Sequence, residues 1–139
     1  MMSQVCVIIA AYCAEGTIGR AVASALAQRD VAEVIVVDDA SPDETAARAA
    51  ASDDGTGRLR VLRMPANGGP AAARNHAIDL STAPFVAVLD ADDFLLPGRF
   101  EPLLAMRDFD LVADNIVFVT ADSVARLQPG DLPVFAEGI

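Results

Sequence analysis

Four short apolar segments recur along the chain and predict the strands of a sheet. They occupy residues 5–10, 33–38, 58–63 and 85–90, and their last residues are 28, 25 and 27 positions apart. The first segment (VCVIIA) shows no alternation of apolar and polar positions, which is typical of a strand buried on both faces. The spacing matches a strand–helix–strand crossover, so we predict an α/β fold with a mainly parallel sheet.

The first two intervals between these strands carry helix signals. One apolar stripe at helical spacing predicts the first helix, and its members are Ile18, Val22, Ala25 and Leu26. Residues 41–44 (SPDE) form the pattern of a capping box, with Pro42 at the first helical position. We therefore predict a second helix that begins at Pro42 and runs to residue 51.

The remaining elements are marked by proline and glycine. Pro70 follows two glycines and is placed to open a third helix that extends to Leu80. Residues 97–98 (PG) predict the start of a fourth helix that ends at Met106. Residues 110–119 read as a fifth strand, and the chain after residue 128 resembles a loop.

Acidic side chains follow two of the predicted strands. Asp38 and Asp39 end the second strand, and Asp90, Asp92 and Asp93 follow the fourth. In parallel α/β sheets, ligands bind beyond the carboxyl ends of the strands. Two like charges about 4 Å apart repel by roughly 4 kcal/mol at an effective dielectric near 20, so a cation, protonation or hydrogen-bond donors must offset them. A divalent cation, Mg²⁺ or Mn²⁺, suits such hard oxygen ligands.

Two further features at the same predicted edge of the sheet favour a phosphorylated ligand. Residues 67–69 (NGG) precede the third helix, whose first N–H groups and dipole favour an anion. Arg74 lies one turn into that helix and can clamp a phosphate. Tyr12 follows the first strand, and its ring can stack on a base.

Composition excludes several classes of protein. All ten basic residues are Arg, so mechanisms that need Lys, such as a Walker A loop or a Schiff base, are excluded. The formal net charge of −10 argues against nucleic acid and anionic lipid as partners. Two Cys and one His cannot build a Cys/His zinc site. No G-x-G-x-x-G motif follows the first strand, which disfavours a dinucleotide site.

Four ordered segments resemble the motifs of family 2 glycosyltransferases of the GT-A fold. These segments are residues 5–15, 36–43, 67–75 and 89–97. The resemblance implies a Rossmann-like, three-layer, nucleotide-diphospho-sugar-binding fold with helices on both faces of the sheet. It also implies site residues. The nucleotide-sugar contacts would be Ala11, Tyr12, Glu15, Asp38, Asp39, Asn67, Gly68, Arg74 and Asp90, and the metal ligands Asp92 and Asp90.

The function implied by this resemblance is inverting, metal-dependent transfer of a sugar from a UDP-sugar to an acceptor hydroxyl in polysaccharide or glycoconjugate synthesis. The cofactor would be Mn²⁺ or Mg²⁺. Two alternatives stay open, a non-catalytic nucleotide-sugar-binding or scaffolding module and a nucleotidyltransferase. The second needs a basic residue in the loop after the first strand, and residues 10–16 contain none.

Length shapes the expected domain organisation. Only 47 residues follow Asp92, whereas the family's acceptor half follows this position and normally supplies an acidic catalytic base. We expect residues 1–139 to form a single nucleotide-sugar-binding domain that lacks the acceptor half, with the general base outside this chain. The expected partners are a UDP-sugar donor, a sugar or lipid-linked acceptor and a second copy of the chain.

The apolar runs also bear on location. The first run, residues 5–14, is too short to span a bilayer, and no later run is longer. We expect a cytoplasmic protein that makes no membrane contact through this segment. If the protein associates with the inner face of the membrane, we expect it to do so through parts not present here.

Overall fold

The computed structural model describes residues 3–106 of the chain. Eight elements follow in the order β1 (Val5–Ala11), α1 (Ile18–Leu26), β2 (Val31–Asp38), α2 (Thr45–Ala51), β3 (Leu59–Arg63), α3 (Pro70–Leu80), β4 (Phe85–Val88) and α4 (Glu101–Ala105). All but α4 belong to a compact unit that ends at Arg99, and α4 belongs to a second unit that starts at Phe100. The predicted strand at residues 110–119 lies outside the described residues.

The four strands form one parallel sheet in the order β3-β2-β1-β4. The connections from β1 to β2 and from β2 to β3 advance in one direction across the sheet, whereas the connection from β3 to β4 returns past β1. Because such crossovers are right-handed, α1 and α2 cover one face and α3 covers the other. The order reverses between β1 and β4, and this switch point is where ligands bind in open α/β sheets.

The central strands are buried on both faces, as their unbroken apolar sequence predicts. One face of β1 and β2 packs on α3 through a cluster of buried side chains, which are Cys6, Ile8, Ile35, Val37, Ala73 and Ala77. Burial of each large aliphatic side chain contributes about 1.5–3 kcal/mol. The edge strand β4 alternates instead, and its Val86 and Val88 are exposed.

The start of α2 differs from the prediction. The helix begins at Thr45 and not at Pro42, and the side chain of its N-cap residue, Glu44, makes no capping hydrogen bond. The capping box does not form because its residues bond elsewhere. The Ser41 hydroxyl accepts the N–H of Cys13, 28 residues earlier, and the Asp43 carboxylate accepts both the N–H and the hydroxyl of Thr45. A long-range contact therefore replaces the local cap.

The predicted fourth helix is also shorter than its pattern suggests. It begins at Glu101, because Gly98 has φ +74° and this left-handed conformation cannot continue a helix. The strand boundaries move by one or two residues, β2 beginning at Val31 and β4 ending at Val88. Among the described residues, no helix is long and apolar enough to cross a membrane.

Candidate functional site

A cavity of about 350 Å³ lies beyond the carboxyl ends of β1 and β2. Three segments form its wall: the end of β1, the end of β2 and the loop that leads into α3. Its lining residues are Ala10, Ala11, Tyr12, Asp39, Asn67, Gly69 and Pro70. Tyr12 is 54% exposed, so much of its surface is open to a ligand.

Asp39 joins the end of β2 to the glycine loop. Its side chain is 3% exposed, and its two carboxylate oxygens accept the N–H groups of Gly68 at 2.9 Å and Gly69 at 2.8 Å. Gly69 has φ +90°, a conformation that a residue with a side chain rarely adopts. The charge of Asp39 is therefore offset by backbone donors, and no cation is needed at this point.

Asp38 is fully buried and does not line the cavity. Its Oδ1 accepts the N–H of Ser41 at 3.2 Å, and Arg63 Nε lies 3.8 Å from its Oδ2. Oδ2 has no hydrogen-bond partner among the described residues. Since the Ser41 hydroxyl in turn accepts the N–H of Cys13 at 2.9 Å, Asp38 orients the loop that follows β1 through Ser41.

The loop after β1 is held by two more contacts with the start of α2. The Thr45 hydroxyl accepts the N–H of Ala14 at 2.9 Å, and Glu15 Oε2 accepts the N–H of Glu44 at 3.1 Å. Glu15 thus contacts the segment before α2 and does not line the cavity. Because Tyr12 belongs to the same loop, these contacts fix the backbone from which its ring projects.

Three carboxylates cluster just beyond the end of β4. Asp90, Asp92 and Asp93 each offer an oxygen, and the three oxygens lie within 4.8 Å of one another. The N–H of Asp93 donates to the carbonyl of Asp90 at 3.0 Å, which closes the turn that brings them together. The pKa of Asp93 is raised, first by partial burial and then by the negative charges of Asp92 and Asp90. The positive charge of Arg20 opposes this rise in part. Such a set of oxygen donors fits Mg²⁺ or Mn²⁺.

Arg74 contacts the acidic cluster from α3. Its Nη2 lies 3.0 Å from Oδ1 of Asp90, and its Nε is buried without a hydrogen-bond partner in the described part of the chain. Pro70, four residues earlier on α3, lines the cavity. Four residues of helix rise about 6 Å, so Pro70 and Arg74 lie about one turn apart on α3.

The site residues that the sequence suggested fall into two groups in the structure, with two residues outside both. Four line the cavity (Ala11, Tyr12, Asp39 and Asn67), Gly68 adjoins it, and Arg74, Asp90 and Asp92 meet beyond β4. Glu15 and Asp38 belong to neither group. Asp93 also joins the cluster. The sequence placed it among the acids that follow the fourth strand, but the resemblance did not include it among the metal ligands.

The fold and the site define a class of protein, an α/β domain with a parallel sheet, a cavity beyond the carboxyl ends of its strands and an acidic cluster that follows β4. The particular family follows from comparison with known sequences. The model described as "Glycosyl transferase family 2" matches residues 6–131, and the chain belongs to this family. The resemblance stated from the four motifs is confirmed.

Individual relatives agree with this assignment. The succinoglycan biosynthesis protein ExoU of Rhizobium meliloti is 56% identical over 123 residues, which are 88% of this chain and 36% of ExoU. The S. aureus TarS 1-349 structure in complex with UDP has a TM-score of 0.66 at 29% identity, over 73% of this chain and 31% of the TarS 1-349 chain.

A second structural neighbour carries a metal. The mannosyltransferase PcManGT from Pyrobaculum calidifontis, in complex with GDP-Man and Mn²⁺, has a TM-score of 0.60 at 27% identity, over 66% of this chain and 28% of PcManGT. The chain therefore spans about a third of the length of ExoU and of the chains in these two solved structures. The predicted GT-A fold, a parallel sheet between helices, is confirmed by the sheet itself and by these neighbours.

Proposed function

We propose that this chain is the donor-binding part of an inverting, metal-dependent glycosyltransferase that uses a UDP-sugar in polysaccharide synthesis. The observation that carries the proposal is the Arg74–Asp90 contact, which links the carboxylate cluster to α3, the helix whose first residue, Pro70, lines the cavity. The succinoglycan relative supports the polysaccharide product. The UDP complex of TarS and the Mn²⁺ complex of PcManGT support the donor and the metal.

The cavity is the proposed place of the base. The exposed Tyr12 can stack on a pyrimidine, and the oxygens of Asp39 keep lone pairs that can accept a base N–H besides the two glycine amides. Of the two acids that end β2, we therefore assign the base contact to Asp39. We assign to Asp38 and Glu15 the positioning of the loop that carries Tyr12.

The acidic cluster is the proposed place of the cation and the diphosphate. Asp90, Asp92 and Asp93 would hold Mn²⁺ or Mg²⁺, with Asp93 added to the two ligands that the sequence suggested. A divalent cation bound there would neutralise charge on the departing diphosphate. Arg74 adds a fixed positive charge that can offset the charge of a phosphate.

The acceptor side of the reaction lies beyond these residues. We infer that a carboxylate outside this chain deprotonates the acceptor hydroxyl, so that the chain binds the donor without transferring the sugar. A sugar or lipid-linked acceptor, a homodimer and a cytoplasmic location at the inner face of the membrane stay predictions. So does the single-domain organisation of residues 1–139.

Thermal unfolding with and without ligand tests the proposal. A ligand at 100 times its Kd stabilises a protein by about 2.7 kcal/mol, which raises the Tm of a chain of this size by several degrees. We expect UDP with Mn²⁺ to give such a rise, and GDP with Mn²⁺ a smaller one. Asp92→Asn should remove the metal-dependent part of the rise.

The matched control is Asp79→Asn, which makes the same chemical change at an exposed position on α3. This variant should respond to UDP and Mn²⁺ as the unmodified chain does. The proposal is wrong if neither UDP nor GDP raises Tm in the presence of Mn²⁺. The metal part alone is wrong if UDP acts equally well with and without the cation.

A further inference from the structure

The segment that carries the acidic cluster is fastened to α1 by side chains of that helix and of the turn that follows it. Arg20 and Ser24 lie four residues apart on α1, and Gln28 lies four residues beyond Ser24. Residues four apart on a helix are neighbours on its surface. All three side chains bond to the backbone of residues 92–99, which we call the acidic loop.

Ser24 and Gln28 make the most buried of these contacts. The Ser24 hydroxyl donates to the carbonyl of Ala21 at 2.8 Å and accepts the N–H of Leu95 at 2.9 Å. The Gln28 side chain is buried, donates to the carbonyl of Leu96 at 3.0 Å and accepts the N–H of Arg99 at 3.0 Å. Each hydrogen-bonding group of these side chains therefore has a fixed direction.

Arg20 holds the end of the acidic loop that is nearer to the cluster. Its guanidinium lies over the ring of Phe94, 4.7 Å from the ring centroid, and Nη2 donates to the carbonyl of Asp92 at 3.4 Å. The contact is made to the backbone of Asp92, so its carboxylate stays available to a cation. Arg20 thus restrains a proposed metal ligand without occupying it.

We propose that Arg20, Ser24 and Gln28 are positioning residues for donor binding. They hold the acidic loop so that the carboxylates of Asp92 and Asp93 stay close together, and the metal-dependent part of the affinity for UDP depends on them. The inference rests on the proposed function, because it concerns the same cation. Residues that orient metal ligands without contacting the metal commonly change metal affinity by 10–100-fold when mutated.

Ser24→Ala is the sharpest test, since it removes the acceptor of the Leu95 N–H without changing any charge. The measurement is the Kd of UDP by calorimetry with and without Mn²⁺, and the ratio of the two values is the metal enhancement. We expect Ser24→Ala to lower this enhancement about tenfold and to leave the metal-free Kd unchanged. Ser24→Thr keeps a hydroxyl at this position and should restore it.

Two controls separate positioning from general destabilisation. Ser52→Ala removes a hydroxyl that donates only to the carbonyl of Arg48 one turn back, and it should leave the metal enhancement unchanged. Amide hydrogen exchange reports the loop directly. In Ser24→Ala the N–H of Leu95 should exchange faster, whereas the N–H of Leu89, which donates to Ile8 of β1, should not.

The outcomes distinguish the inference from the function on which it rests. An unchanged metal enhancement in Ser24→Ala, together with faster exchange at Leu95, overturns the inference and leaves the proposed function standing. An equal fall of the metal-free and metal-dependent affinities also overturns it, because that result reports a general structural loss. If the unmodified chain binds UDP without any metal enhancement, the inference and the metal part of the proposed function both fail, and the UDP part stands.

Discussion

Removal of the Asp39 carboxylate is expected to destabilise the fold strongly. Two backbone N–H groups, of Gly68 and Gly69, donate to this buried side chain at 2.9 and 2.8 Å. A hydrogen bond to a charged acceptor contributes about 1.5–3 kcal/mol net, and the loss of its acceptor leaves a donor unsatisfied. Asp39→Ala should therefore lower the free energy of unfolding by about 3 kcal/mol or more. Asp39→Asn keeps one oxygen and should lose about half as much.

Urea unfolding followed by circular dichroism measures these differences. The midpoint should fall in both variants with the m-value unchanged, because the surface exposed on unfolding stays the same. The matched control is Asp53→Ala, whose carboxylate accepts a single N–H, that of Gly55, in an exposed loop. A loss below about 1 kcal/mol is expected there.

The comparison of Asp39 with Asp53 decides whether the reasoning is correct. If Asp39→Ala loses no more stability than Asp53→Ala, the two glycine amides are satisfied in some other way and the argument from burial fails. If Asp39→Asn loses as much as Asp39→Ala, the loop depends on the charge of Asp39 and not on the number of its oxygens. The affinity for UDP should fall in both Asp39 variants, because the residue also lines the cavity.

Three further predictions concern other parts of the chain. A thiol reagent at pH 8 should modify the exposed Cys13 and leave Cys6 unmodified, because burial raises the pKa of the Cys6 thiol to about 11. Modification of both cysteines in the native state would contradict this expectation. The hydrogen bond from Thr45 lowers the pKa of Asp43, so its contribution to stability is present above the ordinary pKa of 3.8 and is lost as the pH falls below it. Asp43→Asn should weaken this acid dependence, which urea titrations between pH 2 and pH 6 would detect. Ile35→Ala should cost about 2–5 kcal/mol in the same assay, because its side chain is fully buried against α3, and a loss below 1 kcal/mol would contradict that packing.

Local patterns were enough to predict the sheet. Residues 5–10 of β1 and 34–37 of β2 have no polar positions that could face water, so only central parallel strands can accommodate them. The spacing of these strands leaves room for one helix in each interval, and Pro70 marks the start of α3 correctly. The acids at the strand ends then had to lie at the edge of the sheet where ligands bind.

The sequence alone determined which elements form and which edge of the sheet carries the acids, because both follow from the chemistry of neighbouring residues. Only the tertiary structure decided which groups each of these acids contacts. Asp38 and Asp39 are adjacent in sequence, yet the alternation of side chains along a strand turns one toward Ser41 and the other toward the glycine loop. The hydroxyl of Ser41 bonds to Cys13 and that of Ser24 to Leu95. Such partners, 28 and 71 residues apart, meet only when the whole unit has folded, so no local pattern records them.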